Sequence, residues 1–222
     1  MVTGEMPVRR VLRTSWIVFV VGLGLLGCKS SRKTPEEATA SQPAAAAVVA
    51  AETASAANEY ENASRRKVQE ISLEVEALPE EREDFPEGFI RGLGLEKPDA
   101  EIARIRARDD IVIRKRKIVI IIDYPVAKPV EFPLESSNEK GFSRAELVRS
   151  ISRTYHRMYE EEERSAKQKT VPPGERTGLI NRNRTDGTYG IWGHDLGDLF
   201  LHTIEVLEGT DGITYVTLGI DS

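Results

Sequence analysis

The sequence predicts an α+β domain: an antiparallel sheet of about four strands, order β-β-α-β-β, with one long helix packed on a face and a disordered linker ahead of it. Three observations predict this. The β-branched run Ile118-Val119-Ile120-Ile121-Ile122 has the composition of a central strand buried on both faces. Ser143 and Glu146 stand at capping-box spacing, with Phe142 and Leu147 placed as a hydrophobic staple, ahead of a helical apolar stripe. Two apolar, alternating segments, 199–207 and 213–220, flank Glu208-Gly209-Thr210-Asp211-Gly212, which is a hairpin signal. Strands followed by a long helix and more strands pack as a sheet with the helix across it.

The chain begins with the parts of a secretory signal, residues 1–27. Arg9, Arg10 and Arg13 precede the apolar run 16–26, and Glu5 is the one acid there. As a helix that run is roughly 16 Å long, short of the ~30 Å hydrocarbon core, so it suits a cleaved signal better than a spanning helix. The run ends in Leu25-Leu26-Gly27-Cys28, and Cys28 is the chain's one cysteine. These four residues resemble the lipobox of bacterial lipoproteins. The resemblance implies that the Cys28 thiol carries a covalent lipid and becomes the first residue of the mature chain. It also implies that Lys29, in place of Asp, directs the protein to the outer membrane of a two-membrane host. The competing reading is an incidental thiol in an uncleaved signal anchor. Two or three acyl chains anchor stably where one is marginal, at about 0.8 kcal/mol per buried methylene.

Loss of residues 1–27 removes a net +2 and takes the formal charge from −5 to −7. A mildly acidic exported chain lacks the basic footprint of nucleic-acid binding. With no cysteine beyond Cys28, stability must come from a packed core rather than disulfides.

Residues 28–62 comprise the lipidated cysteine and an Ala-rich stretch with too few large apolar residues to offset chain entropy. As flexible coil it spans about 30 Å r.m.s.. Residues 63–110 read as a helical and irregular connector. In it, Val68, Ile71, Val75 and Leu78 fall three or four apart, one stripe of a helix that Pro79 stops. Residues 80–86 form an acidic loop, 88–94 a turn-rich strap, and 99–108 a short helix with Ile102 and Ile105 inward.

The globular domain occupies 111–222. Arg114-Lys115-Arg116-Lys117 admits two readings: gatekeepers beside an aggregation-prone strand, or attraction to anionic lipid headgroups. Val130, Phe132 and Leu134 alternate as a second strand, which Pro133 assigns to an edge. The long helix carries Leu147, Val148, Ile151, Tyr155, Met158 and Tyr159 on one face, with His156 at its boundary. It ends in Glu160-Glu161-Glu162-Glu163, read as a solvated helix end before Pro172-Pro173-Gly174.

The candidate site is the segment 189–198. It holds three glycines, Trp192 (the single tryptophan beyond residue 27), His194, Asp195 and Asp198. If His194, Asp198 and His202 shared a helical face, they would offer nitrogen and oxygen ligands for zinc. A metal-assisted hydrolase centred on His194, Asp195 and Asp198 is therefore one reading. Gly193 and Gly197 disfavour that helix, and His202 falls in an alternating stretch. The bland reading has Asp195 capping one helical turn and Trp192 plugging the core edge. A third makes Tyr189 and Trp192 a platform for a sugar or peptide, a contact suited to an envelope protein or cell-wall partner. No nucleophile elbow, phosphate-cradling loop or Cys-His pair accompanies them. The reading that joins these features is a lipid-anchored cell-envelope protein whose domain binds or assembles.

Overall fold

A computed structural model describes residues 64–178 and 181–222. The signal, the Cys28 lipobox and the Ala-rich linker lie outside the described residues. Ten strands follow in chain order: β1 (Arg65–Ser72), β2 (Glu74–Glu76), β3 (Phe89–Arg91), β4 (Leu93–Gly94), β5 (Ile111–Ile113), β6 (Lys117–Ile122), β7 (Val130–Glu135), β8 (Phe142–Ser143), β9 (Phe200–Gly209) and β10 (Thr214–Asp221). The long helix, Arg144–Ser165, stands between β8 and β9, and a short helix, Asp99–Ile102, between β4 and β5.

The main sheet runs β1-β9-β10-β6-β7, with β4 as a sixth strand on β9. The α+β class and the long helix agree with expectation; the sheet has six strands rather than four and is mixed rather than antiparallel. β9 and β10 form the expected hairpin, but β10 lies parallel to β6, with Tyr215 opposite Val119 and Val216 opposite Ile120. The chain from β6 to β10 includes the long helix, the kind of crossover a parallel pair requires. Pro133 sits in β7, at the sheet edge, where a missing N–H costs no ladder bond.

The expected helix over 64–78 is instead strand. β1 pairs antiparallel with β9 and β2 with β3. The reason is a period of two: Ile71, Leu73, Val75 and Ala77 are all buried, whereas Val68 and Leu78 of the supposed helical stripe are exposed. Residues read as a connector thus complete the core, because Leu93 and Leu95 are also fully buried in it. The helix expected over 99–108 is a single turn, Asp99–Ile102; Ile102 and Ile105 are both buried as expected, but Ile105 lies beyond the helix, bridged to Val75.

The long helix packs Leu147, Val148, Ile151, Tyr155 and Met158 against the sheet, none more than 1% exposed. Each such side chain contributes about 1.5–3 kcal/mol of gross burial energy. Ser143 Oγ accepts the Glu146 N–H at 3.2 Å. The reciprocal arm of the box is diverted, since the Glu146 carboxylate takes Ser136 Oγ at 2.8 Å and the Ser137 N–H at 2.7 Å.

On the opposite face a smaller cluster, Ile121, Leu207 and Tyr215, packs with Val119. Arg65 reaches over the Tyr215 ring, 3.9 Å from its centroid, to Glu131 at 2.6 Å. Arg65 and Glu131 belong to the first and last strands of the five-strand path. In a flat sheet those strands stand about 19 Å apart, farther than the two side chains reach together. The sheet therefore curls toward this face, and the ion pair roofs the cluster.

Candidate functional site

The ends of two strands build the site. β6 ends at Ile122 and β10 at Asp221, and because the two run parallel, the residues that follow them emerge together. Tyr124 Oη and Ser222 Oγ join across that gap at 2.8 Å. The segment 189–195 lies over the same end. Trp192 N–H donates to the Pro125 carbonyl at 3.1 Å, and the Ala127 N–H donates to the Tyr189 carbonyl at 2.9 Å.

Within that segment Ile191 is fully buried and Trp192 is 40% exposed. Glycines on either side make this reversal possible. Gly190 (φ 63°) and Gly193 (φ 77°) hold left-handed backbone that a Cβ would strain. A Cβ on Gly190 would also stand 3.0 Å from that of Ala127. Trp192 therefore does not plug the core edge. Its indole packs edge-on against Tyr124, with centroids 5.5 Å apart and planes at 86°, and its Nε1–H donates to the Val126 carbonyl at 3.3 Å. The His194 ring joins them, 5.6 Å from Tyr124 and 6.5 Å from Trp192. His194 Nε2 stands 3.4 Å from Ser222 Oγ.

The long helix fixes this patch from below. Tyr155 and Tyr159, one turn apart, send their hydroxyls to the carbonyls of Tyr124 and His194, each at 2.9 Å. Burial pushes both phenols well above their ordinary range, so both remain donors at any physiological pH.

Two further anchors hold the flanking loops. Asp195 receives both terminal nitrogens of Arg176, at 2.7 and 2.9 Å, with Arg182 at 3.4 Å. The Arg176 hydrogen bond, outweighing partial burial and helped by Arg182, holds its carboxyl below the usual carboxylate range. The Arg182 guanidinium lies 5.2 Å from the Tyr159 ring centroid and 3.6 Å from Glu163. Asp198 accepts the Asp195 N–H at 2.8 Å, closing the single 3-10 turn Leu196–Asp198.

The second anchor overturns the solvated helix end. Glu162 is fully buried. Its carboxylate accepts the Thr185 hydroxyl at 2.5 Å and the N–H groups of Gly187, Tyr189 and Gly190 at 2.9, 2.7 and 3.2 Å. Burial opposes ionisation, but these bonds outweigh it and hold the carboxyl below its ordinary value.

The sequence-predicted residues separate accordingly. His194 and Trp192 meet at one surface, while Asp195 turns to Arg176 and Arg182. Tyr189 faces away from Trp192: its ring packs on Phe132, with centroids 6.1 Å apart, and its hydroxyl donates to Glu161. Burial and the Glu161 contact push that phenol up to about 12. His202 lies in β9 with Nδ1 at Thr203 Oγ1 (2.9 Å) and Nε2 3.7 Å from Asp221. Asp198 belongs to a 3-10 turn and His202 to a strand, so the two do not share a helix with His194. Among the described residues no three His, Cys, Asp or Glu side chains converge on one point. Tyr124 is the member that sequence reasoning missed. It follows the β-branched run as an apparent turn residue, and only the bonding of 189–192 to the loop at 125–127 brings it to Trp192.

Comparison of the chain with protein families, with curated proteins and with solved structures finds no match in any of the three.

Proposed function

We propose that this chain is an exported, lipid-anchored cell-envelope protein whose domain is a binding module, with Tyr124, Trp192 and His194 as its contact surface. The lipobox resemblance at Leu25-Leu26-Gly27-Cys28 supports the anchor, and Lys29 supports the outer membrane of a two-membrane host. No helix among the described residues is long and apolar enough to cross a membrane. One observation carries the binding reading: a tryptophan left 40% exposed while two glycines, Tyr124, Tyr155 and Tyr159 fix the backbone beneath it. A rigid aromatic face with polar tips takes a sugar ring or an extended peptide at low entropic cost. The neighbouring acids favour binding over catalysis, since Asp195 is neutralised by two arginines and Asp198 holds a backbone N–H.

Trp192 is the one tryptophan left once residues 1–27 are removed, so its emission reports on the patch directly. Titration of the mature protein with cell-wall glycan fragments and with envelope-protein peptides is expected to shift or quench it. Flat titrations with both classes would overturn the binding reading. For the anchor, Cys28→Ser is expected to move the protein from the detergent phase to the aqueous phase. Unchanged partitioning would overturn that half alone.

A further inference from the structure

The geometry points to a second functional surface at the opposite end of the sheet: a cationic, apolar-tipped face that docks on an anionic phospholipid bilayer. Because β6 and β10 are parallel, their first residues emerge together just as their last ones do. The basic run Arg114–Lys117 leads into β6, and Ile213 precedes β10 at the tip of the β9–β10 hairpin. Lys115, Lys117 and Ile213 line one cavity of 570 Å³, with Pro133 and Leu134 in its wall.

The charges there are largely uncommitted. Arg116 and Lys117 share Glu135, at 3.2 and 3.8 Å. Among the described residues, Arg114 and Lys115 make no ion pair, and all four cations are exposed. The acid at the hairpin tip, Asp211, is exposed but bonded within its own turn: it accepts the Ile213 N–H at 2.9 Å and the Tyr215 hydroxyl at 2.7 Å. Ile213 itself is 41% exposed beside this cluster. Four consecutive cations on a chain of net charge −5 give the domain a polarised field. A large apolar side chain beside basic residues is the chemistry of a peripheral membrane contact.

The position of the tether selects the bilayer as the occupant. The described chain begins at Ser64, whose carbonyl accepts the Thr210 N–H at 3.0 Å, in the same hairpin tip that carries Ile213. The segment leading back to Cys28 therefore leaves from the cationic end. The aromatic patch is at the other end of β6 and β10, so docking this face turns Trp192 outward. That orientation rests on Cys28 as the anchor; the cationic contact itself does not.

The test uses the chain without residues 1–27, whose one tryptophan is Trp192, carrying Cys28→Ser and Ile213→Cys and labelled at the new thiol with an environment-sensitive fluorophore. Vesicles of phosphatidylcholine alone are compared with vesicles containing phosphatidylglycerol. The expected result is a blue shift of the label on the anionic vesicles only, reversed by salt, with Trp192 emission unchanged. Replacing Arg114, Lys115, Arg116 and Lys117 together by Ser is expected to weaken label insertion about 100-fold while leaving the Trp192 spectrum intact. A label that stays silent on anionic vesicles would overturn the proposal, as would a shift that survives the four replacements. Because Cys28 is already Ser, neither outcome bears on acylation, which detergent partitioning reads separately.

Discussion

Tyr159 Oη donates to the carbonyl oxygen of His194 at 2.9 Å, which ties the exposed patch to a helix whose apolar face is the centre of the core. The same ring lies beneath the Arg182 guanidinium, 5.2 Å away, and Arg182 in turn faces Asp195. One tyrosine thus joins core, patch and salt-bridge loop. Tyr159→Phe keeps the ring and removes the bond, leaving a partly buried carbonyl without its donor. The expected cost is about 1–2 kcal/mol by urea unfolding. Trp192 emission should red-shift as the segment loosens. Wild-type stability together with an unmoved spectrum would show that the hydroxyl does not hold the patch.

Glu162 makes stability depend on acid. Its folded carboxyl is held below the ordinary value, so its contribution is fully present above the unfolded pKa of about 4.3. That contribution is lost as pH falls through the lower folded value. Glu162→Gln keeps the size but offers one acceptor oxygen where two serve four donors. The expected loss near neutral pH is about 2–3 kcal/mol, with a flatter decline of Tm on the acid side. Parallel Tm–pH curves for the two proteins would assign the acid sensitivity elsewhere.

What the sequence shows of this fold is its local content. The capped helix, the β9–β10 hairpin, the strand at 118–122 and the edge position of Pro133 all depend on neighbours within a few residues. What it hides depends on partners far along the chain. Val68, Ile71, Val75 and Leu78 satisfy a helical stripe as well as Ile71, Leu73, Val75 and Ala77 satisfy a strand. Only distant partners, β9 for β1 and β3 for β2, decide between them. Glu162 is indistinguishable from Glu160, Glu161 and Glu163 until the loop at 185–190 folds back onto it. At the site, His194 and Trp192 stood out by composition. Tyr124 did not, because its place follows from long-range contacts: the parallel β6–β10 pairing that brings it to Ser222, and the bonds that lay segment 189–192 against residues 125–127.

Asp195→Asn separates charge from shape in the loop beside His194. The amide keeps an acceptor for Arg176 but no longer offsets two guanidinium groups whose side chains are 6% and 7% exposed. Glu163 relieves Arg182 in part, and Asp195 is itself partly exposed, so the expected cost is about 2 kcal/mol. If the loop serves only to hold His194, the His194 imidazole resonances should move by NMR while the Trp192 indole signal stays near its place. A hydrolase with Asp195 as a working acid predicts instead a lost activity at unchanged stability.

Trp192→Ala sets the cost in stability against the cost in binding. The indole gives up an edge-on contact with Tyr124 and one hydrogen bond at 3.3 Å, with its ring 40% in solvent. Removing such a side chain is expected to cost about 1 kcal/mol, far less than the ~3–5 kcal/mol of a core aromatic. The neighbouring backbone should hold, because Ile191 stays in the core and Gly190 and Gly193 keep their turns. Ligand affinity should fall by more than tenfold, since a stacked aromatic anchor contributes about 1–3 kcal/mol to contacts of this kind. Trp192→Phe should recover part of the affinity and none of the indole hydrogen bond. Isothermal titration with whichever glycan or peptide shifts the wild-type emission reads both variants. If Ala destabilises the fold by the full core amount, the tryptophan is a structural plug, and the patch loses its claim as the contact surface.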